Sequence, residues 1–322
     1  MTDRRQRPDY VEQYEEQEEF WPALETSLAD DLPEFWGGRW GCASEYAPLR
    51  AVLLRRPGAE IENMADPHRW RFAAAMDPIK AREQHDALAQ AYRDAGATVH
   101  YVEEMRPDRP NALFMRDNVF MTPEGAILAR QAMAVRRGEE MYVARALAQL
   151  GVPIIRTVSG TGVFEGACAM WVDRETVILG TGNRCNAEGA RQVTETLAAI
   201  GVKEIIPYPI PYGHAHIDGF VNIIDRDLAI IFPWQVPHNV VQALRDRGLR
   251  VLTVPSIEEL KDNSAINFVA VAPRKIVAVK GNPKTKRLLE SAGVEVHEVD
   301  VSEIKKGRGA IHCATVFLAR DP

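Results

Sequence analysis

Several features are scarce in this 322-residue chain, and each shortage excludes a class of protein. No apolar run approaches the roughly 18 to 20 residues needed to cross a bilayer, and the first residues lack the apolar core of a secretion signal. Lys and Arg (39) are outnumbered by Asp and Glu (45), so the basic excess typical of nucleic-acid binding is missing. Four cysteines are too few for a disulfide framework. We therefore expect a cytoplasmic protein with neither a membrane nor a nucleic acid as partner, whose net charge of −6 is compatible with a cationic small-molecule substrate.

The first 38 residues differ in composition from the rest. Positions 1–34 carry eleven Asp or Glu and only three Arg. Because runs of like charge are usually solvated, we interpret residues 1–38 as an acidic N-terminal extension and residues 39–322 as one domain. Trp21, Phe35 and Trp36 could dock the extension on the body or on a second subunit, so a homo-oligomer is also possible.

Glycines mark an internal repeat. Five times an apolar helical run ends in a glycine and a strand-like alternation follows at once, at Gly96, Gly151, Gly201, Gly248 and Gly293. The intervals are 55, 50, 47 and 45 residues, which is typical of a repeated architecture. Glycine at this place is expected to be a helix C-cap, because it adopts the left-handed conformation readily.

The units of this repeat predict an α/β fold. Each reads as strand, turn, strand, helix, glycine and strand, except that the first has a single leading strand, at residues 49–54. The last segment, residues 310–318, reads as a strand with no helix after it. The spare strand and the short unit complete each other, so we expect a closed ring of five units sealed by strands from both termini, which removes exposed sheet edges.

The residue that opens the first strand of each unit differs from unit to unit. It is Asp117, Glu165, Asp218, Asn267 and Cys313 in turn, at intervals of 48, 53, 49 and 46 residues. In a ring these positions would converge on the axis. Neighbouring carboxylates in a cavity are costly unless a cation is present, and a planar guanidinium can bind carboxylates in bidentate fashion.

The cysteine among these carboxylates indicates nucleophilic chemistry. Nearby carboxylates should raise the pKa of Cys313, and a bound cation should reverse this and favour the attacking thiolate. His216, close to Asp218, could carry protons to and from the leaving group. His214, His216 and Asp218 alternate and could ligate a metal together with a cysteine. Because three carboxylates are present and no second pair of soft ligands, we expect neither a metal nor a cofactor.

Four short motifs carry a resemblance to a known superfamily. They are residues 110–117 (PNALFMRD), 164–167 (FEGA), 216–218 (HID) and 307–313 (GRGAIHC). Their order and spacing resemble those of the guanidino-group-modifying enzymes, which comprise arginine deiminases, dimethylarginine dimethylaminohydrolases and amidinotransferases. The resemblance spans about residues 40–320. It implies a pentein fold, a five-bladed α/β propeller of ββαβ repeats, with residues 39–322 as a single catalytic domain.

The resemblance also implies roles for individual residues. Cys313 matches the nucleophile and His216 the catalytic histidine. The carboxylates that hold the guanidinium, and share in catalysis, are matched by Asp117, Glu165 and Asp218. Three further residues match substrate-binding positions: Arg136 and Arg184, which correspond to contacts with a substrate carboxylate in the hydrolases, and Asn111. One departure is Cys168, which stands where hydrolases of this group usually have an aspartate, and which could signal a different substrate.

We interpret the chain first as a cysteine hydrolase that acts on the guanidinium carbon of an arginine-like substrate and releases ammonia through a covalent amidino-thioester. The dimethylarginine enzymes lack an acid at the position of Asp218, so its presence favours an unsubstituted terminal guanidine. The alternative is an amidinotransferase, which the pair His312 and Cys313 also resembles; residues 40–57, however, look more like the first strand of the hydrolases. A non-catalytic binding protein on the same fold is the alternative from another class.

Overall fold

The computed structural model describes residues 26–62, 64 and 66–322. Most of the predicted acidic extension, including Trp21, lies outside the described residues. Its last part forms a helix, α1, at Leu28–Phe35. Phe35 and Trp36, at the end of α1, are both exposed. The division into an extension and one domain stays a prediction.

The described strands form five separate three-stranded sheets. The first contains β1 (Leu49–Leu54), β2 (Thr98–Tyr101) and β15 (Val316–Arg320). The second contains β3 (Val119–Thr122), β4 (Gly125–Leu128) and β5 (Ile154–Thr157), and the third β6 (Ala169–Asp173), β7 (Thr176–Thr181) and β8 (Glu204–Pro209). The fourth contains β9 (Val221–Asp225), β10 (Leu228–Ile231) and β11 (Arg250–Thr253), and the fifth β12 (Val269–Ala272), β13 (Lys275–Val279) and β14 (Glu295–Val299).

A helix connects the middle strand of each sheet to the strand that pairs parallel with it. These helices are α2 (Pro78–Asp94), α3 (Glu139–Leu150), α4 (Ala187–Ala199), α5 (His238–Asp246) and α7 (Pro283–Ser291). In the second to fifth sheets the middle strand pairs antiparallel with the strand before it in the chain, and in all five it pairs parallel with the strand after the helix. A parallel pair needs such a crossover, and the buried faces of strands and helices form the core.

The five glycines behave as the sequence predicts. Each follows its helix with a positive φ, between 77° at Gly151 and 93° at Gly201. At Gly151 a side chain is excluded on a second ground, since a Cβ there would lie 2.6 Å from the carbonyl oxygen of Trp36. The repeat is therefore fixed by a backbone conformation that other residues adopt only with strain.

Strands from both ends of the chain share one sheet, as predicted. β15 pairs antiparallel with β1, with Val316 opposite Leu53, and β1 pairs in parallel with β2. Hydrogen bonding between strands does not join one sheet to the next within the described part of the chain. The closed ring accordingly stays a prediction.

Two details of the predicted units were wrong. The predicted strand over residues 310–318 begins only at Val316, because the backbone before it turns back on itself: the N–H of Ala314 donates to the carbonyl of Ala310 at 3.0 Å. The fourth unit also has an unpredicted short helix, α6 (Ile257–Asn263), whose N-cap is Ser256. Glu259 in α6 accepts bonds from the first N–H groups of α7 and so satisfies donors that the helix itself leaves free.

A buried histidine in α2 should make the fold acid-sensitive. His85 is fully buried with no hydrogen-bond partner in the described structure, and burial lowers its pKa to about 4. Because the unfolded chain binds this proton more tightly, stability is lost as the pH falls below 6.5 towards 4. On this basis the His85→Leu variant should lose about 2 kcal/mol less stability than the wild type between pH 7 and pH 5.

Urea unfolding at both pH values measures this difference. His297→Leu, at an exposed histidine, is the control and should follow the wild type. Equal acid sensitivity of the wild type and His85→Leu would contradict the assignment.

Candidate active site

The residues singled out in the sequence lie in equivalent places of the fold. Each stands in the turn or loop just before the first strand of a sheet, rather than on the strand itself as predicted. These residues are Asp117 before β3, Glu165 before β6, His216 and Asp218 before β9, Asn267 before β12 and Cys313 before β15.

The thiol of Cys313 is held between an amide and a carboxylate. Its Sγ lies 3.1 Å from Nδ2 of Asn267 and 3.4 Å from Oδ2 of Asp218. The same Asn267 amide accepts a bond from the backbone N–H of His312 at 3.0 Å, which fixes the turn that presents the cysteine. Cys313 is half-buried, whereas the other three cysteines are buried. It is thus the cysteine that an outside molecule can reach.

A second group of contacts orients His216. Its Nε2 lies 2.7 Å from Oε2 of Glu165, and its Nδ1 lies 3.5 Å from Oδ1 of Asp117. Both carboxylates are buried. The site therefore brings together a thiol, an imidazole and three carboxylates, as the repeat predicts.

The charges of the site set the protonation of the thiol and the imidazole. Burial raises the pKa of Cys313 well above its usual range, and the charges of Asp218 and Asp117 add to the effect. Burial alone would lower the pKa of His216, but Asp117 and Glu165 outweigh it and raise that pKa. The surroundings thus favour the protonated form of both the Cys313 thiol and the His216 imidazole, and a cation placed among the carboxylates would favour the thiolate.

The carboxylates remain ionised in spite of their burial. Burial opposes the charge of Glu165, but His216 and Arg184 together hold its pKa at about 2. Burial likewise opposes the charge of Asp218, and the hydrogen bond from His312 holds the pKa of that carboxyl at about 2. The negative charge that a cationic substrate would meet is therefore present at neutral pH.

Two arginines neutralise part of this charge. Arg136 is buried and donates to the carboxylates of Asp117 and Glu139, and to the backbone carbonyls of Asn111 and Phe114. Its donors are used within the protein, whereas the sequence predicts a contact with a substrate carboxylate, so that role stays a prediction.

Arg184 pairs with the next carboxylate in the same way. Its Nη1 lies 3.0 and 3.1 Å from the two oxygens of Glu165, and its role in binding substrate also stays a prediction. Asn111 donates from its side chain to the carbonyl of Trp70 at 3.0 Å. Its backbone oxygen accepts a bond from Arg136 at 3.3 Å, and its role in binding substrate also stays a prediction.

A buried chain of polar side chains supports Asp218, and the sequence reasoning did not assign it to the site. His312 Nδ1 lies 2.9 Å from Asp218, and His312 Nε2 lies 3.4 Å from Glu45. Glu45 in turn pairs with Arg116 at 3.0 Å. The one available signal was the position of His312 next to Cys313, because Glu45 lies outside the repeated positions.

Two of the other cysteines pack in the interior near the site. Cys168, at the position where an aspartate was expected from the resemblance, is fully buried, and burial raises its pKa well above the usual range. Its sulfur lies 3.9 Å from the carbonyl of Ala215, next to His216. Burial also raises the pKa of Cys185, to about 12. With cysteine in place of the aspartate, the position therefore lacks a charge in the interior, next to the loop that carries His216, rather than at an accessible surface.

Three of the site residues have the spacing of a metal site. Asp117, Glu165 and His216 each offer a ligand atom, and these atoms lie within 4.8 Å of one another. His214, the other histidine of the alternating pair, instead packs edge-on against Phe220 at 4.7 Å. Arginine side chains already provide cationic partners for both carboxylates, which makes this an ion-pair cluster.

Comparison with known proteins identifies the family. The family model for eukaryotic N,N dimethylarginine dimethylhydrolase matches residues 68–320. The chain belongs to this family. It is therefore an enzyme that acts on guanidino groups, in the pentein superfamily of hydrolases and transferases.

The matches to relatives of this family member extend over nearly the whole length of each relative. A dimethylarginine dimethylaminohydrolase of Streptomyces coelicolor is 27% identical, over 84% of this chain and 98% of its own. An arginine deiminase of Lactococcus lactis subsp. cremoris is 22% identical, over 86% and 98%. The structure of an amidinotransferase from Microseira wollei superposes with a TM-score of 0.72 at 14% identity, covering 88% of this chain and 98% of that one. The amidinotransferase structure and this chain share the α/β fold.

Among residues 26–62, 64 and 66–322, no helix combines the length and the apolar character that crossing a bilayer demands.

Proposed function

We propose that this enzyme is a cysteine hydrolase that removes ammonia from an unsubstituted terminal guanidine of an arginine-like substrate. The observation that carries the proposal is the placement of the Cys313 thiol, 3.4 Å from Asp218, in a site where Glu165 holds His216 at 2.7 Å. A nucleophile, an acid-base group and carboxylates for a cation are the parts that such a reaction needs.

The carboxylates would form the binding site for the guanidinium group of the substrate. Oδ1 of Asp117 is buried and lacks a hydrogen-bond partner in the described structure, so it can accept an N–H of the substrate. Asp218 lies next to the nucleophile and can accept a second. Burial and the carboxylate charges together raise the pKa of Cys313, and a cation held there offsets those charges, so binding would favour the thiolate, with the thiol proton released to solvent.

In the first half of the reaction, the thiolate of Cys313 forms a bond to the guanidinium carbon. The carbon–nitrogen bond to one terminal nitrogen then breaks, and that nitrogen takes a proton from the imidazolium of His216 and leaves as ammonia. What remains is an amidino group bound to sulfur, with its positive charge facing Asp117 and Asp218. The raised pKa of His216 suits it to act as the acid in this step.

In the second half, His216 is neutral and takes a proton from water. The hydroxide adds to the same carbon, the carbon–sulfur bond breaks, and Cys313 leaves as the thiolate. The hydroxyl proton passes to solvent and the product is a urea. The sum is one guanidinium and one water converted to one urea and one ammonium.

Asp218 favours deimination over the removal of a methylated amine. Its carboxylate, 3.4 Å from Sγ, would accept hydrogen bonds from the N–H groups of the terminal guanidine nitrogen. A terminal nitrogen that carries two methyl groups has no N–H to donate. Amidinotransfer remains the second candidate, because an amine could resolve the same intermediate in place of water.

We further propose that residues 39–322 form one catalytic domain, with the five sheets as the blades of a closed propeller. Contacts between successive units support this arrangement. β15 contacts β3, the turn at Met115–Asn118 contacts the turn at Gly166–Cys168, α5 contacts β8, and β12 contacts both β9 and β1. These contacts lead from the first sheet through the others and back to it.

An assay with and without an acceptor amine tests the proposed reaction. The enzyme is incubated with arginine and with a panel of alkyl- and arylguanidines, and ammonia, citrulline or the matching urea, ornithine and transferred amidino groups are followed by mass spectrometry. We expect ammonia and the urea without any acceptor. Product that forms only when glycine or another amine is added would replace hydrolysis by amidinotransfer. Inactivity towards the whole panel, with no adduct at Cys313, would leave a binding protein.

A further inference from the structure

The loop after the middle strand of a sheet contributes to the site in two successive units. After β4 this loop carries Arg136, which pairs with Asp117; after β7 it carries Arg184, which pairs with Glu165. The equivalent loop after β10 carries Trp234, which is the third residue after its strand, as Arg184 is after β7. The repeat therefore places an aromatic side chain where the preceding unit places Arg184.

Trp234 belongs to a row of aromatic rings that leads to the loop before β9, which carries His216 and Asp218. We call His214, Phe220, Phe232 and Trp234 the aromatic row. Successive ring centroids lie 4.7, 6.5 and 5.6 Å apart. The N–H of Phe232 donates to the carbonyl of Phe220 at 2.8 Å, which places Trp234 at the same end of the sheet as the loop that carries His216 and Asp218.

The outer end of the row is exposed. Trp234 is 71% exposed, and Tyr212, in the same loop as His214, has a fully exposed side chain. Large aromatic side chains gain most when their apolar faces are covered. Continuity with the loop of His216 and Asp218 indicates that the occupant is a part of the molecule bound there.

We propose that the aromatic row binds the distal part of the guanidino substrate and that this part is apolar or aromatic. The inference rests on the proposed function and narrows its substrate class. It agrees with the state of Arg136, whose three nitrogens all donate to groups of the protein, and with the pairing of Arg184 Nη1 with Glu165, because donors engaged in this way are not directed to an amino-acid carboxylate.

Steady-state kinetics of a Trp234→Ala variant test the proposal. The substrates are phenethylguanidine, which has an aromatic body, and methylguanidine, which has none; arginine is the polar reference. We expect the wild type to prefer phenethylguanidine to arginine. The variant should lose about tenfold in kcat/KM for phenethylguanidine, mainly through KM, and less than about threefold for methylguanidine. Trp234→Phe should restore most of the loss.

Trp36→Ala is the matched control, because Trp36 is also an exposed tryptophan but lies at the end of α1. It should behave as the wild type with all three substrates. A preference of the wild type for arginine, or an equal loss for all substrates in Trp234→Ala, would overturn the aromatic assignment and leave guanidine hydrolysis intact. Absence of turnover with every guanidine and no adduct at Cys313 would instead remove the proposed function, and with it this inference.

Discussion

Replacing Cys313 with serine is expected to lower the rate of guanidine hydrolysis by at least about 10³-fold, the scale on which loss of a covalent nucleophile acts. The hydroxyl would keep the contacts with Asn267 and Asp218, because it is close in size to the thiol. It cannot become an effective nucleophile there, since a guanidinium can reduce the pKa of a thiol enough to ionise it but not that of an alcohol. The loss should therefore fall on kcat, while substrate binding persists.

Mass spectrometry of the quenched reaction gives a second readout. Wild-type enzyme mixed with substrate should carry an amidino adduct on the peptide that contains Cys313, and the serine variant should carry none. Cys42→Ala is the control, because Cys42 is buried and bonded to the backbone of Ser44, away from the proposed reaction. Full activity of Cys313→Ser, in a protein whose circular dichroism matches the wild type, would refute the covalent mechanism.

The repeat in the sequence was sufficient to predict which residues occupy equivalent places in the fold. Glycine caps its helices for conformational reasons alone, so the helix ends could be located from residue type. Once the units were aligned, Asp117, Glu165, Asp218 and Cys313 fell at equivalent positions, and the structure brings their segments to the same end of their sheets.

What the sequence could not predict depends on contacts between units. The chain from Asp218 through His312 to Glu45 joins three segments that are far apart in sequence, and Glu45 belongs to no repeated position. The pairing of Arg136 with Asp117 could not be predicted from the sequence either. A long arginine side chain can reach a substrate or a neighbouring carboxylate from the same backbone position, and only the packing around it decides.

The local alternation of residues also predicted a strand where the backbone instead forms hydrogen bonds within a turn. Residues 310–318 alternate as a strand does, yet the segment that carries Cys313 forms a turn. Its N–H groups are satisfied by Ala310 and by the side chain of Asn267, which lies in another unit. Cys313 can project towards the site because this part of the chain is not in a sheet.

Replacing His216 with glutamine should lower kcat by about 10² to 10⁴-fold, the range usual for loss of a general acid-base group. His216 has two tasks in the proposed reaction: as the imidazolium it protonates the leaving ammonia, and as the neutral imidazole it then accepts a proton from water. The glutamine side chain can donate a hydrogen bond to Glu165 but can perform neither proton transfer. Because KM depends on the carboxylates rather than on proton transfer, the deficit should appear in kcat.

The pH dependence of kcat separates this acid role from a structural one. With substrate bound, Cys313 is the thiolate and His216 must be protonated for ammonia to leave, so kcat should fall as the pH rises through the pKa of His216. Glu165 helps to raise that pKa. In Glu165→Gln this support is lost, and the descending limb of the kcat profile should move to lower pH. Glu188→Gln, at a glutamate of α4 paired with Arg191 on the surface, is the control and should leave the limb in place. A limb that stays fixed in Glu165→Gln would show that His216 is not the titrating acid, whereas a shift in the expected direction would tie the proton of the leaving group to the contact between Glu165 and His216.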